Sequence, residues 1–102
     1  MLLLKPNCEH CNKTLPAESN DAYICSYECT FCRTCVEETL KDVCPNCAGN
    51  FMPRPIRPKQ AWLEGMSLQS QPANPDHYHK LVDLKRHTAL LARLDDLAPD
   101  QR

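Results

Sequence analysis

Four cysteines lie within one stretch of eleven residues, Cys25-Ser26-Tyr27-Glu28-Cys29-Thr30-Phe31-Cys32-Arg33-Thr34-Cys35. Two further pairs flank this stretch, Cys8 with Cys11 and Cys44 with Cys47, and two residues separate the members of each pair. No cysteine follows position 47 in the chain of 102 residues. A segment of about 50 residues seldom buries enough apolar surface to fold without cross-links. The cysteines therefore predict a small cross-linked domain over residues 1–52.

Disulfides, iron–sulfur clusters and zinc are the cross-links to compare. Disulfides would suit a secreted protein, but residues 1–6, Met-Leu-Leu-Leu-Lys-Pro, lack the pattern of an export signal. The spacing Cys25-x3-Cys29-x2-Cys32 is that of radical S-adenosylmethionine enzymes, whose barrel needs a longer chain than 102 residues. A ferredoxin-like cluster would leave paired cysteines without a role. In a reducing cytoplasm, closely paired cysteines favour zinc, with two ions for the eight thiolates.

The spacing also indicates what kind of zinc site to expect. A gap of two residues lets both thiolates of a pair bind one tetrahedral ion. Four thiolates leave no coordination position open, so such a site holds structure and does not activate water. Only two residues separate Cys29 from Cys32, which favours interleaved pairing of the cysteines. A sequential, LIM-like pairing uses similar gaps and remains the alternative, although it would require a longer last loop.

The order and gaps of the cysteines resemble those of the RING finger over residues 8–47. Phe31-Cys32-x-x-Cys35 and Cys44-Pro45-x-Cys47 match motifs of that family, and Cys29 stands where the family usually has a histidine. The resemblance implies a small zinc-stapled α+β fold, RING-like or treble-clef-like, with cross-braced ligands. It implies these ligand sets: Cys8, Cys11, Cys32 and Cys35 at site 1, and Cys25, Cys29, Cys44 and Cys47 at site 2.

A second similarity covers more of the chain. It comprises the opening Leu4-x-Pro6-Asn7-Cys8, the segments 24–32 and 43–49, and the Arg-Pro-x-Arg-Pro motif over 54–58. These motifs are similar to those of a small bacterial family, domain of unknown function 1272. The resemblance implies a bacterial, cytoplasmic protein and supplies no activity. It also implies that the helix predicted after residue 74 is an addition to the family's short core.

Local patterns predict short elements within the first 73 residues. Residues 2–4 and 20–25 are predicted as strands, and residues 36–42 as a short helix with Val36 and Leu40 on one face. The prolines of residues 53–59 predict a stiff, solvated linker. Residues 60–73 are predicted as a loop in which Trp62 folds back on the zinc domain.

Residues 74–98 are predicted as an amphipathic helix, followed by a tail at 99–102. Asn74 would be the N-cap and Pro75 the first helical residue. Leucines recur along one face, and His87 at the edge of this stripe is predicted to pair with Asp83. The stripe is broad enough to need a partner. We expect it to pack on its own domain, on a second copy in self-association, or on another protein.

Charge weighs against a nucleic-acid partner. Residues 1–50 carry four Lys/Arg against seven Asp/Glu, and two four-thiolate zinc sites would make this half more negative. A nucleic-acid-associated zinc finger is nevertheless an alternative, with Arg54, Arg57 and Lys59 on an extended segment. The favoured expectation is that these cations belong to a solvated linker that tethers the helix.

A RING-type ubiquitin-ligase-like adapter is a second alternative. That family has an aliphatic residue between its first two cysteines, where this chain has Glu9 and His10, and a basic residue after the last cysteine, where it has Ala48. His10 is expected to be a surface residue rather than a ligand. No nucleophile is paired with a base and no small-molecule substrate is indicated. The residues therefore predict a non-catalytic zinc-binding protein that acts as a protein-interaction module and does not bind a membrane.

Metal analysis of the purified chain is expected to find about two zinc ions per chain, because eight thiolates form two closed four-ligand sites. A strong chelator is expected to unfold residues 1–52, since the binding free energy of a structural zinc ion is folding free energy. Circular dichroism during chelation measures the loss. One ion per chain, or iron with visible absorbance, would contradict the two-zinc prediction.

Overall fold

The centre of the fold is a three-stranded antiparallel sheet in the order β2-β1-β3. The computed structural model describes residues 1–102 and places β1 at Ala22–Ile24, β2 at Thr30–Cys32 and β3 at Met52–Pro53. Tyr23 of β1 lies opposite Phe31 on one side and Pro53 on the other. The strand predicted within residues 20–25 is confirmed. The strand predicted at residues 2–4 is wrong, because a φ of 54° at Leu4 turns the chain.

A π-helical turn at Cys35–Thr39 follows β2. It is closed by the amide of Leu40, which donates to the carbonyl of Cys35 at 2.8 Å. Val36 and Leu40 are both buried, so the predicted inward face is confirmed. The turn ends earlier than the predicted helix at 36–42, because Lys41 and Asp42 adopt positive φ values of 54° and 59°.

The hydrophobic core converges on the cysteines. Phe31 and Phe51 pack edge to face, with ring centroids 5.5 Å apart. Five of the eleven residues of the core cluster are cysteines. The other six are Leu15, Ala22, Phe31, Val36, Leu40 and Phe51. The cysteine side chains and the apolar core are therefore one structural unit, and neither packs independently of the other.

Residues 53–59 run along the folded domain, and the prediction of a solvated linker is wrong for Arg54 and Arg57, whereas the other five residues are exposed. The amide of Arg54 donates to Ala22 O at 2.8 Å and so continues the pairing of β3. The Arg54 side chain is buried, and its guanidinium donates to Lys5 O at 2.8 Å and Pro16 O at 3.2 Å. A cation in this position satisfies carbonyls that the local sequence cannot.

The C-terminal arm, which we define as residues 74–102, begins in an extended conformation. Its helix α1 spans Leu84–Leu94, with Asp83 as N-cap, so the predicted start at Asn74 is wrong. The buried amide side chain of Asn7 donates to Tyr78 O at 3.0 Å and accepts from Tyr78 N at 3.1 Å. These bonds engage backbone groups that a helix would need, and they hold the start of the arm on the domain.

Helix α1 packs on its own domain. His87 is 3% exposed, and its Nε2 donates to Leu40 O at 2.8 Å, which replaces the predicted side-chain pairing with Asp83. One helical face places Leu90, Leu91 and Leu94 in half-buried positions. The helix ends at Asp95, whose φ of 47° is left-handed. With eleven residues, α1 is too short and too polar to cross a membrane, and no other helix could do so.

The loop after residue 57 does not bury its tryptophan. The predicted contact of Trp62 with the zinc domain is absent, and 82% of the residue is exposed. Leu68 N donates to Pro58 O at 2.8 Å and closes the loop at its base. Gly65 allows the turn at the tip, where φ is +76°. The loop therefore turns its tip away from the core and carries Trp62 with it.

Replacing Asn7 with alanine is expected to release the start of the arm, since both Tyr78 backbone groups would lose their partner. A fully buried polar group left unpaired costs about 1–3 kcal/mol, and these two half-buried groups should cost less than that each. Hydrogen exchange at the Tyr78 amide and chemical denaturation measure the two effects. Gln69→Ala is the control, because Gln69 is an exposed amide side chain. Unchanged exchange at Tyr78 would contradict the assigned role of Asn7.

Candidate metal centres

Site 1 brings its four predicted cysteines together. The sulfurs of Cys8, Cys11, Cys32 and Cys35 all lie within 4.8 Å of one another. The Sγ atoms of Cys8 and Cys35 are 3.7 Å apart, and those of Cys11 and Cys32 are also 3.7 Å apart. A tetrahedron with ligands about 2.3 Å from its centre has edges of about 3.8 Å. The cluster therefore has the dimensions of a tetrahedral zinc–thiolate site.

Local backbone geometry positions the first pair of site 1. Cys8 N donates to Lys13 O at 2.8 Å, and Asn12 N donates to Cys8 O at 2.9 Å. Asn12 adopts a φ of 63°, which reverses the chain after Cys11. The second pair comes from the end of β2 and the start of the π-helical turn. One site thus joins the N-terminal turn to the sheet.

Site 2 brings together three of its four predicted cysteines most closely. Cys25, Cys44 and Cys47 have sulfurs within 4.8 Å of one another. Cys29 is outside this set of three. Asn46 Nδ2 donates to Cys29 Sγ at 3.4 Å. The structure therefore links Cys29 to the Cys44–Cys47 turn through Asn46, and its role as the fourth ligand of site 2 stays a prediction.

Backbone amides donate to three sulfurs of site 2. Tyr27 N is 3.3 Å from Cys25 Sγ, Asn46 N is 3.5 Å from Cys44 Sγ, and Gly49 N is 3.4 Å from Cys47 Sγ. Such donors stabilise thiolates and orient them toward an ion. A Cβ at Gly49 would lie 3.3 Å from Cys47 Sγ, so any other residue would crowd this sulfur. The motif Cys47-x-Gly49 is therefore part of the site.

The sulfurs of site 2 share protons unequally. The hydrogen bond from Cys44 lowers the pKa of Cys29 to about 5, and the same pairing raises the pKa of Cys44. Burial raises the pKa of Cys25 to about 11. One thiolate is thus stabilised by thiol neighbours, and four thiolates together require a cation. A divalent ion supplies that charge and replaces the shared protons.

The cysteines of site 1 also differ in the direction of their pKa shifts. Burial raises the pKa of Cys11, but the Lys13 backbone amide and the neighbouring thiols outweigh it, so the net pKa is lowered. Burial raises the pKa values of Cys32 and Cys35. The four cysteines of site 1 fit zinc in number, softness and spacing, and the three gathered cysteines of site 2 fit it in softness and spacing. With all four positions of site 1 taken by sulfur, an ion bound there would serve structure.

Two residues inside the first cysteine pair have roles that the sequence analysis missed. Glu9 accepts from Thr30 N through Oε2, and its own amide donates to Thr30 O at 2.9 Å, which fixes the turn against β2. His10, expected at the surface, is half-buried and accepts from Val82 N at Nδ1, at 2.9 Å. Lys80 N donates to Glu9 O at 2.8 Å. The C-terminal arm therefore docks directly on the turn that carries site 1.

The other end of the arm reaches site 2. Arg102 Nη1 donates to Ala48 O at 3.0 Å and to Asp42 O at 3.2 Å, on either side of the pair Cys44 and Cys47. A cleft of about 680 Å³ lies between α1 and this pair. The arm side of the cleft presents Lys80, Arg86 and Arg93. The arm thus spans both centres and places cations near the second.

The fold and its clusters define a small cysteine-rich domain with two candidate metal centres whose ligands are interleaved along the chain. A family profile described as protein of unknown function (DUF1272) matches residues 1–57, and the chain belongs to this family. It is 55% identical over 58 residues to an uncharacterized protein of Rhizobium meliloti (strain 1021), a match that covers 57% of this chain and 69% of that protein. No solved structure matches the chain.

Paired cysteine substitutions are expected to distinguish interleaved from sequential ligation. Cys8→Ser with Cys29→Ser should impair both centres and lower each affinity by at least about a hundredfold, because each centre loses a ligand. Cys8→Ser with Cys35→Ser is the matched control, which should leave one centre intact. Cobalt titration, followed by thiolate-to-cobalt charge-transfer absorption, counts the tight sites.

Sequential ligation would give the reverse result. Cys8 and Cys29 would then belong to the same centre, so the first double variant would keep one tight site. The control would lose both, since Cys8 and Cys35 would belong to different centres. One titration of each variant therefore decides the pairing.

Proposed function

We propose that this chain is a non-catalytic zinc-binding protein that acts as a protein-interaction module in the cytoplasm. One observation carries the proposal. Four large apolar residues lie exposed around one groove, which we call the apolar patch: Met1 (89% exposed), Trp62 (82%), Leu63 (73%) and Met66 (59%). Contiguous apolar surface of this kind on a small domain marks a site of association.

The cysteine centres support a structural role for the metal. In site 1, four sulfurs surround the position of the ion at tetrahedral spacing, so a substrate would have to displace a ligand. The same sulfurs belong to the hydrophobic core, where exchange of a ligand would disturb packing. A reducing compartment is part of the proposal, because zinc ligation requires thiolates rather than disulfides.

The nucleic-acid alternative has little support from the geometry. The guanidinium of Arg54 is buried and donates to carbonyls, and Arg57 donates to Gln71 O at 2.6 Å and Leu2 O at 2.8 Å. Of the three cations considered for phosphate contacts, only Lys59 has no such bond and stands exposed. A salt-sensitive nucleic-acid interface typically uses about six to ten phosphate contacts.

The ligase-adapter alternative is also disfavoured. A partner in the RING-like position would contact the turn around Glu9 and His10 together with the turn around Pro45. In this chain the arm lies over that surface, with Val82 bonded to His10 and Pro45 lining the covered cleft. The apolar patch lies elsewhere and is open.

A pull-down from a lysate of the source organism tests the interaction function. Immobilised zinc-loaded chain is expected to capture protein equally with and without nuclease treatment, because the contact is apolar. Trp62→Ser with Leu63→Ser should abolish capture by removing the centre of the patch. Tyr27→Ser is the matched control, since Tyr27 is 76% exposed outside the patch.

Two results would contradict the proposal. Equal capture by the patch variant would show that the patch is not the contact. Capture that nuclease abolishes, together with salt-dependent binding to a fluorescent random-sequence duplex, would instead establish the nucleic-acid function.

A further inference from the structure

Residues 58–71 form a loop that is held by polar bonds. Leu68 N donates to Pro58 O at 2.8 Å at the base of the loop, and Gln71 Nε2 donates to Gly65 O at 2.8 Å across it. Ser67 is buried and accepts from Gln71 N at 2.8 Å. Because polar groups fix this backbone, its large apolar side chains are not needed to hold the loop. The loop instead holds these apolar side chains exposed in a fixed arrangement.

A second segment completes the apolar patch. Arg57 donates to Gln71 O from one nitrogen and to Leu2 O from the other. Arg57 thus bridges the loop and the N-terminal residues, and Met1 lines the same groove as Trp62. The groove has a volume of about 510 Å³. The patch is therefore pre-organised, which lowers the entropy cost of binding.

We propose that a second copy of this chain covers the patch in a two-fold symmetric dimer. The proposal rests on the proposed function, because a second copy is one kind of protein partner. The charged residues beside the patch are the reason for proposing a second copy as the partner. Lys59 and Glu64, exposed and in no ion pair within the chain, flank Trp62 and Leu63 in sequence. A surface that carries both signs beside one apolar centre can complement itself, Lys59 of each copy facing Glu64 of the other.

The size of the patch agrees with a dimer. A large aromatic side chain buries roughly 150–250 Å², and a standard interface buries roughly 800 Å² per partner. Trp62 with three further large side chains supplies much of such an interface. Helix α1 is a poorer candidate for the dimer contact than the apolar patch, because the domain already covers one face of the helix through His87.

The full-length, zinc-loaded chain is used for the test. Sedimentation velocity over a dilution series is expected to show a reversible dimer. The fluorescence of Trp62, the only tryptophan, should shift to the red on dilution as its ring returns to water. Trp62→Ser is expected to raise the dimer Kd by roughly thirtyfold or more, as for a central apolar anchor. Tyr27→Ser should leave the Kd unchanged.

Charge reversal tests whether the partner is a second copy. Lys59→Glu and Glu64→Lys should each weaken self-association roughly tenfold, because each creates two repulsive pairs across the two-fold axis. An equimolar mixture of the two variants should regain the wild-type Kd, since opposite charges then face each other. Metal analysis and circular dichroism check that each variant is loaded and folded.

Two results would overturn the dimer. They are a wild-type chain that is folded, zinc-loaded and monomeric at all concentrations, and a mixture that associates no better than its components. If such a monomer still captured another protein through Trp62, self-association would be wrong and the interaction function would stand. Loss of both activities would remove the proposed function as well.

Discussion

The tetrahedral grouping of four sulfurs at site 1 is the constraint on which the rest of the structure depends. It joins the turn at Cys8 and Cys11 to the end of β2 and the following π-helical turn, and it adds to the two hydrogen bonds between Glu9 and Thr30. Site 2 joins the connection between β1 and β2 to the pair Cys44 and Cys47. Because the two sets interleave along the chain, each site closes a loop that contains a ligand of the other. Neither half of the domain can be released while both sites are held.

The thiolate ligands also determine the charge of the domain. Four thiolates around a divalent ion carry a net negative charge, and the first half of the chain is already acidic. The arm brings Lys80, Arg86 and Arg93 to the cleft beside site 2. Residues 51–102 carry eight Lys/Arg against six Asp/Glu. Lys80, Arg86 and Arg93, with Asp83 in the same cleft, would therefore offset only part of the negative charge that metal loading creates. The polar contacts of Asn7 and Arg102 set the position of the arm.

The sequence predicted those features that local chemistry determines. The spacing of the cysteines predicted two clusters, and their grouping in the structure agrees with interleaved sites. The same holds for β1 and for the buried face of Val36 and Leu40. The start of α1, the burial of Arg54 and the exposure of Trp62 were missed, because each depends on contacts distant in sequence. Asn7, for example, bonds Tyr78 across 71 positions, and no periodicity in either segment records that contact.

The part of the chain that matches the family differs from the part that forms most of the apolar patch. All eight cysteines lie within residues 1–57, the part that matches the family profile. Trp62, Leu63 and Met66 lie after it, and so does the arm. Membership of the family therefore bears on the scaffold that zinc would hold in place. It does not bear on most of the patch, whose position depends on Arg57, the last residue of the match. A scaffold that ends in such an anchor can carry different loops, so the choice of partner would be a property of the loop.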